Sequence, residues 1–278
     1  MPLGDLGKGI RDALVGTITG AGDVLEATVD ASRRSTVKAL EGVRDISKEV
    51  TGIAADGVTG AVQAASEVGS SVGSAAKGAV IGVVQGVGEV SIVTVGTLSD
   101  TVRAAIKGTQ EVGGDVTDAG KGAVQGALIA AASVGLTLEE AVTSVARGAI
   151  EGASDVGGDL AATAKTVVRE TIHSTQEGGK DTLVAVRSSA SEIIKSTASV
   201  GGDVATVARN VVEGAIEGAK DISISAEDAA AAAATGAVEA ASRVSDAAGS
   251  SARNAVSGII SGVRVVVQAP FGGEDKKE

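Results

Sequence analysis

Few side chains in this sequence could carry out catalysis or bind a metal ion. The chain has a single histidine, His173, and no cysteine, so it offers no thiolate nucleophile and no set of histidine ligands. A Ser-His-Asp triad could draw its base only from His173, and His173 falls on the polar side of its segment with no second ligand in phase. We therefore interpret His173 as a solvated side chain and predict no catalytic residue, no metal site and no cofactor.

Two further patterns match known sites only in part. Gly120-Lys121-Gly122 lacks both the spacing and the Ser or Thr of a phosphate-binding loop. Acidic residues recur every 22 residues, but on a straight helix they would lie more than about 30 Å apart, too far to share one cation. We interpret this acidic edge as a solvated face. Its members are Asp23, Asp45, Glu67, Glu89, Glu111, Asp155, Glu177 and Asp221.

The composition limits both the core and the partners. The 278 residues include 40 glycines, one phenylalanine and no tryptophan or tyrosine, so the core must be built from small side chains on closely approaching backbones. The net charge of −11 argues against a nucleic-acid partner, and we predict no small-molecule substrate. The N-terminus does not resemble a signal peptide, and no run is apolar enough to span a membrane. The cellular location stays open, with the cytoplasm as the default.

The most informative feature is an internal repeat. A Val-Gly-Gly-Asp tetrad recurs at an interval of 44 residues, and apolar residues recur every 22 residues without insertion or deletion. Because eleven residues make about three helical turns, this period keeps the apolar columns on one face of a helix. The most regular column is Ile18, Leu40, Val62, Val84, Ile106, Leu128, Ile150, Ile172, Ile194, Ile216, Val238 and Ile260.

The repeat predicts an all-α fold of tandem 22-residue helical units, paired into 44-residue units. Glycine suits a helix C-terminus and Asp suits the next N-cap, so each tetrad predicts one helix of about 18 residues ending and another starting about four residues later. The alternative is one very long helix, because the apolar face keeps its phase through every junction. The predicted junction residues are Gly113, Gly114 and Asp115, then Gly157, Gly158 and Asp159, and then Gly201, Gly202 and Asp203.

Other helix starts follow from N-cap residues at the equivalent repeat positions. Thr137 is followed by Glu140 at the spacing of a capping box. Around Val90 the junction signals are absent and around Ile46 they are weak, so there the helix is expected to continue. The equivalent positions outside the tetrads are Glu49, which is not an N-cap type, and the N-cap residues Ser71, Thr137, Asp181 and Ser225.

Two sets of residues are predicted to mediate helix packing. Glycines four positions apart let two helix backbones approach closely. A basic column, opposite the acidic edge and spaced by 44 residues, is predicted to pair with acids on a neighbouring helix or chain. The glycine pairs are Gly16 and Gly20, Gly82 and Gly86, Gly122 and Gly126, Gly148 and Gly152, Gly214 and Gly218, and Gly258 and Gly262. The basic column is Lys77, Lys121, Lys165, Arg209 and Arg253.

The segments KGTQEVGGDVTDAGKGAVQG and VEGAIEGAKDISIS resemble the eleven-residue-repeat helices of synucleins and perilipins. They resemble apolipoproteins and late-embryogenesis-abundant proteins more loosely. The resemblance covers nearly the whole chain and rests on composition and period. It implies amphipathic helices that fold on lipid surfaces.

Two classes of function therefore compete. We expect a non-catalytic structural protein whose repeat region, residues 16–268, packs its Gly/Ala/Val-lined helices on one another and on further copies of the chain, as in a filament, coat or sheet. Residues 1–15 would be a lead-in and residues 269–278 a charged tail. The alternative is a protein that coats a lipid-droplet or membrane surface, with a stress or desiccation protectant as the second alternative.

Overall fold

Each 22-residue unit of the sequence forms one α-helix in a computed structural model that describes residues 5–18, 24–41, 46–111, 113–175 and 180–267. The described residues contain twelve helices. The first six are α1 (Asp5–Ile18), α2 (Val24–Leu40), α3 (Ile46–Glu67), α4 (Val72–Val90), α5 (Val95–Glu111) and α6 (Val116–Ser133). The next six are α7 (Leu138–Asp155), α8 (Leu160–Ser174), α9 (Lys180–Ser199), α10 (Val204–Asp221), α11 (Ala226–Val244) and α12 (Asp246–Val256).

The Gly-Gly-Asp junctions end one helix and start the next with the same hydrogen bonds each time. The first glycine is left-handed, with φ of 69° at Gly113, 65° at Gly157 and 76° at Gly201. The N–H of the next glycine then donates to a carbonyl five residues earlier, which satisfies a carbonyl at the helix C-terminus. The aspartate that follows accepts two backbone N–H bonds from the new helix. The prediction of separate helices is therefore confirmed over a single long helix.

Two junctions differ from the sequence-based expectation. Val90 does not continue into the next helix: residues 91–94 separate α4 from α5, and Thr94 Oγ1 accepts the N–H of Thr97 at 3.2 Å. Glu49, which is not an N-cap type, lies inside α3, which begins at Ile46. Asp181 likewise lies in the first turn of α9. Residues 42–45, where continuity before Ile46 would be judged, lie outside the described residues.

The helices form two layers, because each helix from α1 to α11 packs most extensively on a helix two places away in the chain. The short helix α12 contacts both α11 and α10. One layer contains the odd-numbered helices and the other the even-numbered ones. Gly122 and Gly126 of α6 meet Gly73 and Lys77 of α4 respectively, so helices within a layer advance together and run parallel. The short junctions then require consecutive helices to run in opposite directions. The 44-residue unit of the sequence is thus one antiparallel helix pair, and the pairs stack into a solenoid.

The core lies between the two layers. From Leu40 to Ile260, every described member of the most regular apolar column is at most 8 % exposed. A second column four residues earlier on each helix, from Leu14 to Val256, is also buried throughout. Burying one such aliphatic side chain contributes about 1.5–3 kcal/mol. Because these columns recur in every unit, the stack is stabilised along its whole length, although the second column has only Thr or Ala at 36, 146, 190 and 234.

The C-terminal end of the solenoid is a β-hairpin. Strands β1 (Gly258–Ile260) and β2 (Val263–Val265) pair antiparallel, with Ile260 opposite Val263. Ser261 and Gly262 form the two-residue turn with φ of 49° and 83°, the combination that favours a hairpin. Gly258 and Gly262 are therefore not a helix-packing pair, because the last helix ends at Val256.

The N-terminal end begins earlier than the sequence predicts. Helix α1 starts at Asp5, within the segment expected to be a lead-in, and its Ile10 and Leu14 are fully buried. Gly20 and the tail 269–278 lie outside the described residues, so the predicted pair Gly16 and Gly20 is not placed. Among the described helices, none combines the length and the apolar character needed to cross a membrane.

Candidate functional surfaces and an apolar cleft

Glycines line the face that a helix turns toward the helix before it in the same layer. A Cβ added at Gly122 would overlap the carbonyl oxygen of Gly73, and one at Gly126 would lie 2.5 Å from the carbonyl oxygen of Lys77. Real Cβ atoms essentially never come so close to another heavy atom. Helix α6 can therefore reach α4 only because both positions lack a side chain.

Three more of the predicted glycine pairs have the same surroundings. A Cβ at the first member would overlap the backbone of the facing helix, and at the second member it would meet that helix at 2.8–3.2 Å. The first members, Gly82, Gly148 and Gly214, face the carbonyl oxygens of Val29, Ser99 and Lys165 respectively. The second members, Gly86, Gly152 and Gly218, lie against Arg33, Arg103 and Ile172.

Helices α8 and α9 depart from this glycine pattern. Glu170 and Glu192 occupy the repeat position that is glycine at 126, 148 and 214, and both are buried. Glu170 accepts a 2.6 Å hydrogen bond from Gln125 Nε2 and lies 3.8 Å from Lys121 Nζ. Glu192 accepts bonds of 2.8 and 3.0 Å from the guanidinium of Arg147. Side chains therefore hold α8 off α6 and α9 off α7, where other pairs close by backbone contact.

An apolar cleft of about 140 Å³ lies where α8 is held off α6. The sequence analysis did not predict it. One sequence feature does indicate the cleft. On the face of α8, Thr166, Glu170 and Ser174 replace the Gly122, Gly126 and Ala130 of α6. The apolar lining includes Ile106, Val116, Val124, Ala149, Ala153 and Val167. The polar residues of the lining are Thr117, Asp159, Thr163 and Thr166.

The predicted basic column has mixed surroundings. Lys165 Nζ lies 2.7 Å from Glu217 of α10, and Lys121 makes the longer contact with Glu170 described above. Arg209 pairs within its own helix, with Glu213 at 3.2 Å. Lys77 and Arg253 form no ion pair with any residue that the structure describes. The column therefore does not act as one ladder.

A more regular set of ion pairs joins helices of the same layer through arginines that the sequence analysis did not single out. Arg103 of α5 contacts Asp155 of α7 at 2.6 Å and Glu151 at 3.2 Å. Arg103 lies four residues, one helical turn, beyond the basic column, which is why the 44-residue spacing did not reveal it. Arg169 with Asp221 is the equivalent pair three units later. Arg33 with Glu89 and Arg187 with Glu239 also join helices of one layer, but these two arginines stand at the repeat position of the basic column itself. Four members of the predicted acidic edge are thus paired rather than simply solvated: Glu67, Glu89, Asp155 and Asp221. Three other members, Asp23, Asp45 and Glu177, lie outside the described residues.

These contacts shift the pKa values of the acids. A hydrogen bond from Arg103 lowers the pKa of Asp155, and one from Arg169 lowers that of Asp221. His173 Nε2 lies 3.1 Å from the same Asp221 carboxylate, so the single histidine belongs to this ion-pair surface. A carboxylate with a lowered folded pKa contributes stability above its unfolded pKa and loses it as the pH falls through the folded value. This stabilisation is therefore present at neutral pH and is lost below about pH 4.

Large apolar side chains are exposed at the C-terminal end. Ile259 and Val266 on the hairpin are 71 % and 60 % exposed, and Val244 at the end of α11 is 49 % exposed. The opposite side of the hairpin, with Ile260 and Val265, is buried. The hairpin thus covers the end of the solenoid with one face. The other face presents Ile259 and its cross-strand partner Arg264 to solvent, with Val266 just beyond β2.

Within the described ranges, no group of three or more His, Cys, Asp or Glu side chains could hold a metal ion. Comparison with protein-family models finds no family that matches the chain. Comparison with curated proteins finds no similar sequence.

Proposed function

We propose that this chain is a non-catalytic structural repeat protein whose solenoid assembles with further copies of itself through its C-terminal end. The repeat columns are buried between the chain's own two layers, so they build a stiff body and are not free to bind a second chain. Any contact between copies must then use surfaces outside the repeat core. The surface that fits this role is the solvent-facing side of the hairpin, which exposes Ile259 and Val266.

The observation that carries the proposal is that three of the seven large apolar side chains exposed among the described residues lie at one end, while Ile92, Ile129, Leu138 and Val184 are spread along the chain. Val244, Ile259 and Val266 all lie in the last described part of the chain. Among the described residues, β1 and β2 pair only with each other, so each strand also has an edge with unpaired N–H and C=O groups. Two hairpins related by a twofold axis, the usual symmetry of a homodimer, could pair along one edge into a four-stranded sheet. This pairing would satisfy those groups and place exposed side chains of the two copies side by side on the same face.

The burial of the repeat columns favours assembly over lipid-surface binding. An amphipathic helix that lies on a membrane must turn its apolar face toward the acyl chains. Here the faces with Ile150, Ile172 and Ile194 point into the protein, and lipid could reach them only if the two layers separated. Binding to a lipid surface therefore remains the alternative outcome of the test below.

The proposal is tested by light scattering coupled to size-exclusion chromatography. We expect the wild-type chain to form oligomers in lipid-free buffer, and the Val266→Asp and Ile259→Asp variants to be monomeric with unchanged helix content. Val184→Asp is the matched control, because Val184 is 55 % exposed on α9, away from the hairpin, and it should assemble as the wild type does.

A wild-type chain that stays monomeric at all concentrations would refute self-assembly. Oligomers that survive both hairpin substitutions would refute the C-terminal contact. Co-flotation of the wild type with anionic vesicles, accompanied by a change in its helix spectrum, would favour the lipid function instead.

A further inference from the structure

We propose that the cleft between α6 and α8 binds a small amphiphile, with a hydrocarbon body of about six to eight carbon atoms and a head group that donates hydrogen bonds, an amine or a hydroxyl. This site is distant in the chain from the C-terminal hairpin and does not depend on assembly. Three features of the cleft support the inference: its volume, the hydrogen-bonding state of its rim and the way it is held open.

The size of the cleft sets the size of the hydrocarbon body. Its volume is about 140 Å³, close to that of an engineered protein cavity of about 150 Å³ that binds benzene. Val124, Ala149 and Val167 are buried at its base and carry no polar atoms in their side chains. A six-membered hydrocarbon ring or a short alkyl chain would fill this volume and remove its apolar walls from water.

The polar side chains at the rim set the chemistry of the head group. The hydroxyl of Thr163 already donates to the carbonyl of Asp159 at 2.9 Å, and that of Thr166 donates to the carbonyl of Ala162 at 3.0 Å. Asp159 Oδ1 caps α8 by accepting two backbone N–H bonds, while its Oδ2 accepts none from the described residues. These three side chains can therefore only accept further hydrogen bonds, which suits an ammonium or hydroxyl group, and the charge of Asp159 repels a carboxylate. The fourth polar residue, Thr117, can donate or accept through its hydroxyl.

Specific residues hold the cleft open. Elsewhere in the even-numbered layer, glycines bring the facing backbones together, and a void of this size would close. At α8, the buried Glu170 stands in a glycine position and is fixed by Gln125 and Lys121. Gln125 itself replaces the arginine found at the equivalent positions 103, 147 and 169. Glu170 therefore separates α8 from α6, while position 125 lacks the longer arginine side chain that would fill the gap.

The test uses three probes of one size: cyclohexylamine, cyclohexanol and cyclohexanecarboxylate, titrated at pH 7 into the full chain by calorimetry or ligand-observed NMR. We expect saturable binding of the amine and the alcohol, and binding of the carboxylate at least about tenfold weaker. Absence of saturable binding of both the amine and the alcohol would overturn the proposal. Equal binding of the carboxylate would overturn the assignment of the head group.

Two variants locate the site. Gly120 lines the cleft, and a Cβ there would have room, with Ile106 as its nearest neighbour at 3.9 Å, so Gly120→Leu should fill the cleft while the protein folds. It is expected to weaken both probes at least about tenfold. The control is Gly9→Leu, since Gly9 lies on an exposed face of α1 with nothing near its missing Cβ, and it should bind as the wild type does. Undiminished binding by the Gly120→Leu variant would overturn the location.

The Asp159→Asn variant tests the contribution of the carboxylate. Asparagine caps helices as well as aspartate does, so α8 should keep its start and the apolar cleft should remain. We expect the affinity for cyclohexylamine to fall several-fold while that for cyclohexanol is unchanged. An equal loss for both probes would contradict a direct role of the carboxylate in binding the ammonium group.

Discussion

At the scale of single residues, Ser223 occupies a backbone conformation that the other units reserve for glycine. Its φ is 60°, while Gly201, at the same position one 22-residue unit earlier, has a φ of 76°. A left-handed conformation costs a residue with a side chain about 1–2 kcal/mol. Glycine avoids this strain, but it loses more conformational entropy on folding than serine does. We expect Ser223→Gly to raise the free energy of unfolding by about 0.5–1 kcal/mol, measured by urea denaturation.

The reciprocal substitution is the control for Ser223. Gly201→Ser places a side chain in the same left-handed position, where the structure leaves open space around the missing Cβ, so only backbone strain is added. It should lower the free energy of unfolding by a similar amount. If both substitutions changed stability in the same direction, the backbone conformation would not be the cause.

At the scale of helices, the approach of α7 to α5 depends on Gly148. A Cβ at this position would overlap the carbonyl oxygen of Ser99. We expect Gly148→Ala to lower the free energy of unfolding by about 1–3 kcal/mol through overpacking, although alanine raises intrinsic helix propensity by about 1 kcal/mol. Gly9→Ala, on an exposed face of α1, should instead be neutral or stabilising. Thermal and urea denaturation would show the opposite signs, and a stabilised Gly148→Ala variant would refute close backbone packing.

At the scale of the whole molecule, the 44-residue pair of helices, and not the 22-residue unit, should be the smallest piece that can be added. A second copy of residues 116–159, inserted after Asp159, would stack α6 on α6 and α7 on α7 through Gly122 and Gly148, so each layer would keep its order. We expect a folded protein with more helix and equal or higher thermal stability, because stability in a stacked repeat sums over units and their interfaces.

Inserting residues 116–137 alone is the matched control for that duplication. One added helix moves every later helix into the opposite layer, where its glycines and acids no longer face their partners. We expect reduced thermal stability and aggregation, followed by circular dichroism and light scattering. Equal stability of the two insertions would contradict the two-layer arrangement.

The local features of the fold could be predicted from the sequence because they depend on neighbouring residues. The period of 22 residues predicted the column from Leu40 to Ile260 that is buried along the stack. Thr137 and Glu140 predicted a capping box that the structure contains. Cap and turn chemistry acts over a few residues, so the residue types at a junction are sufficient to predict it.

Only the tertiary structure decided which helix buries which face. An apolar period gives the direction of a face on its own helix, and it fits a single long helix as well as a stack of two layers. The partner of Gly122 on α4, the pairing of Arg103 with Asp155 and the hairpin beyond Val256 depend on contacts between segments far apart in the chain. The cleft beside Glu170 shows the same limit. Thr166, Glu170 and Ser174 mark the face of α8 as different from that of α6, but the size and lining of the gap depend on how the two helices fit together.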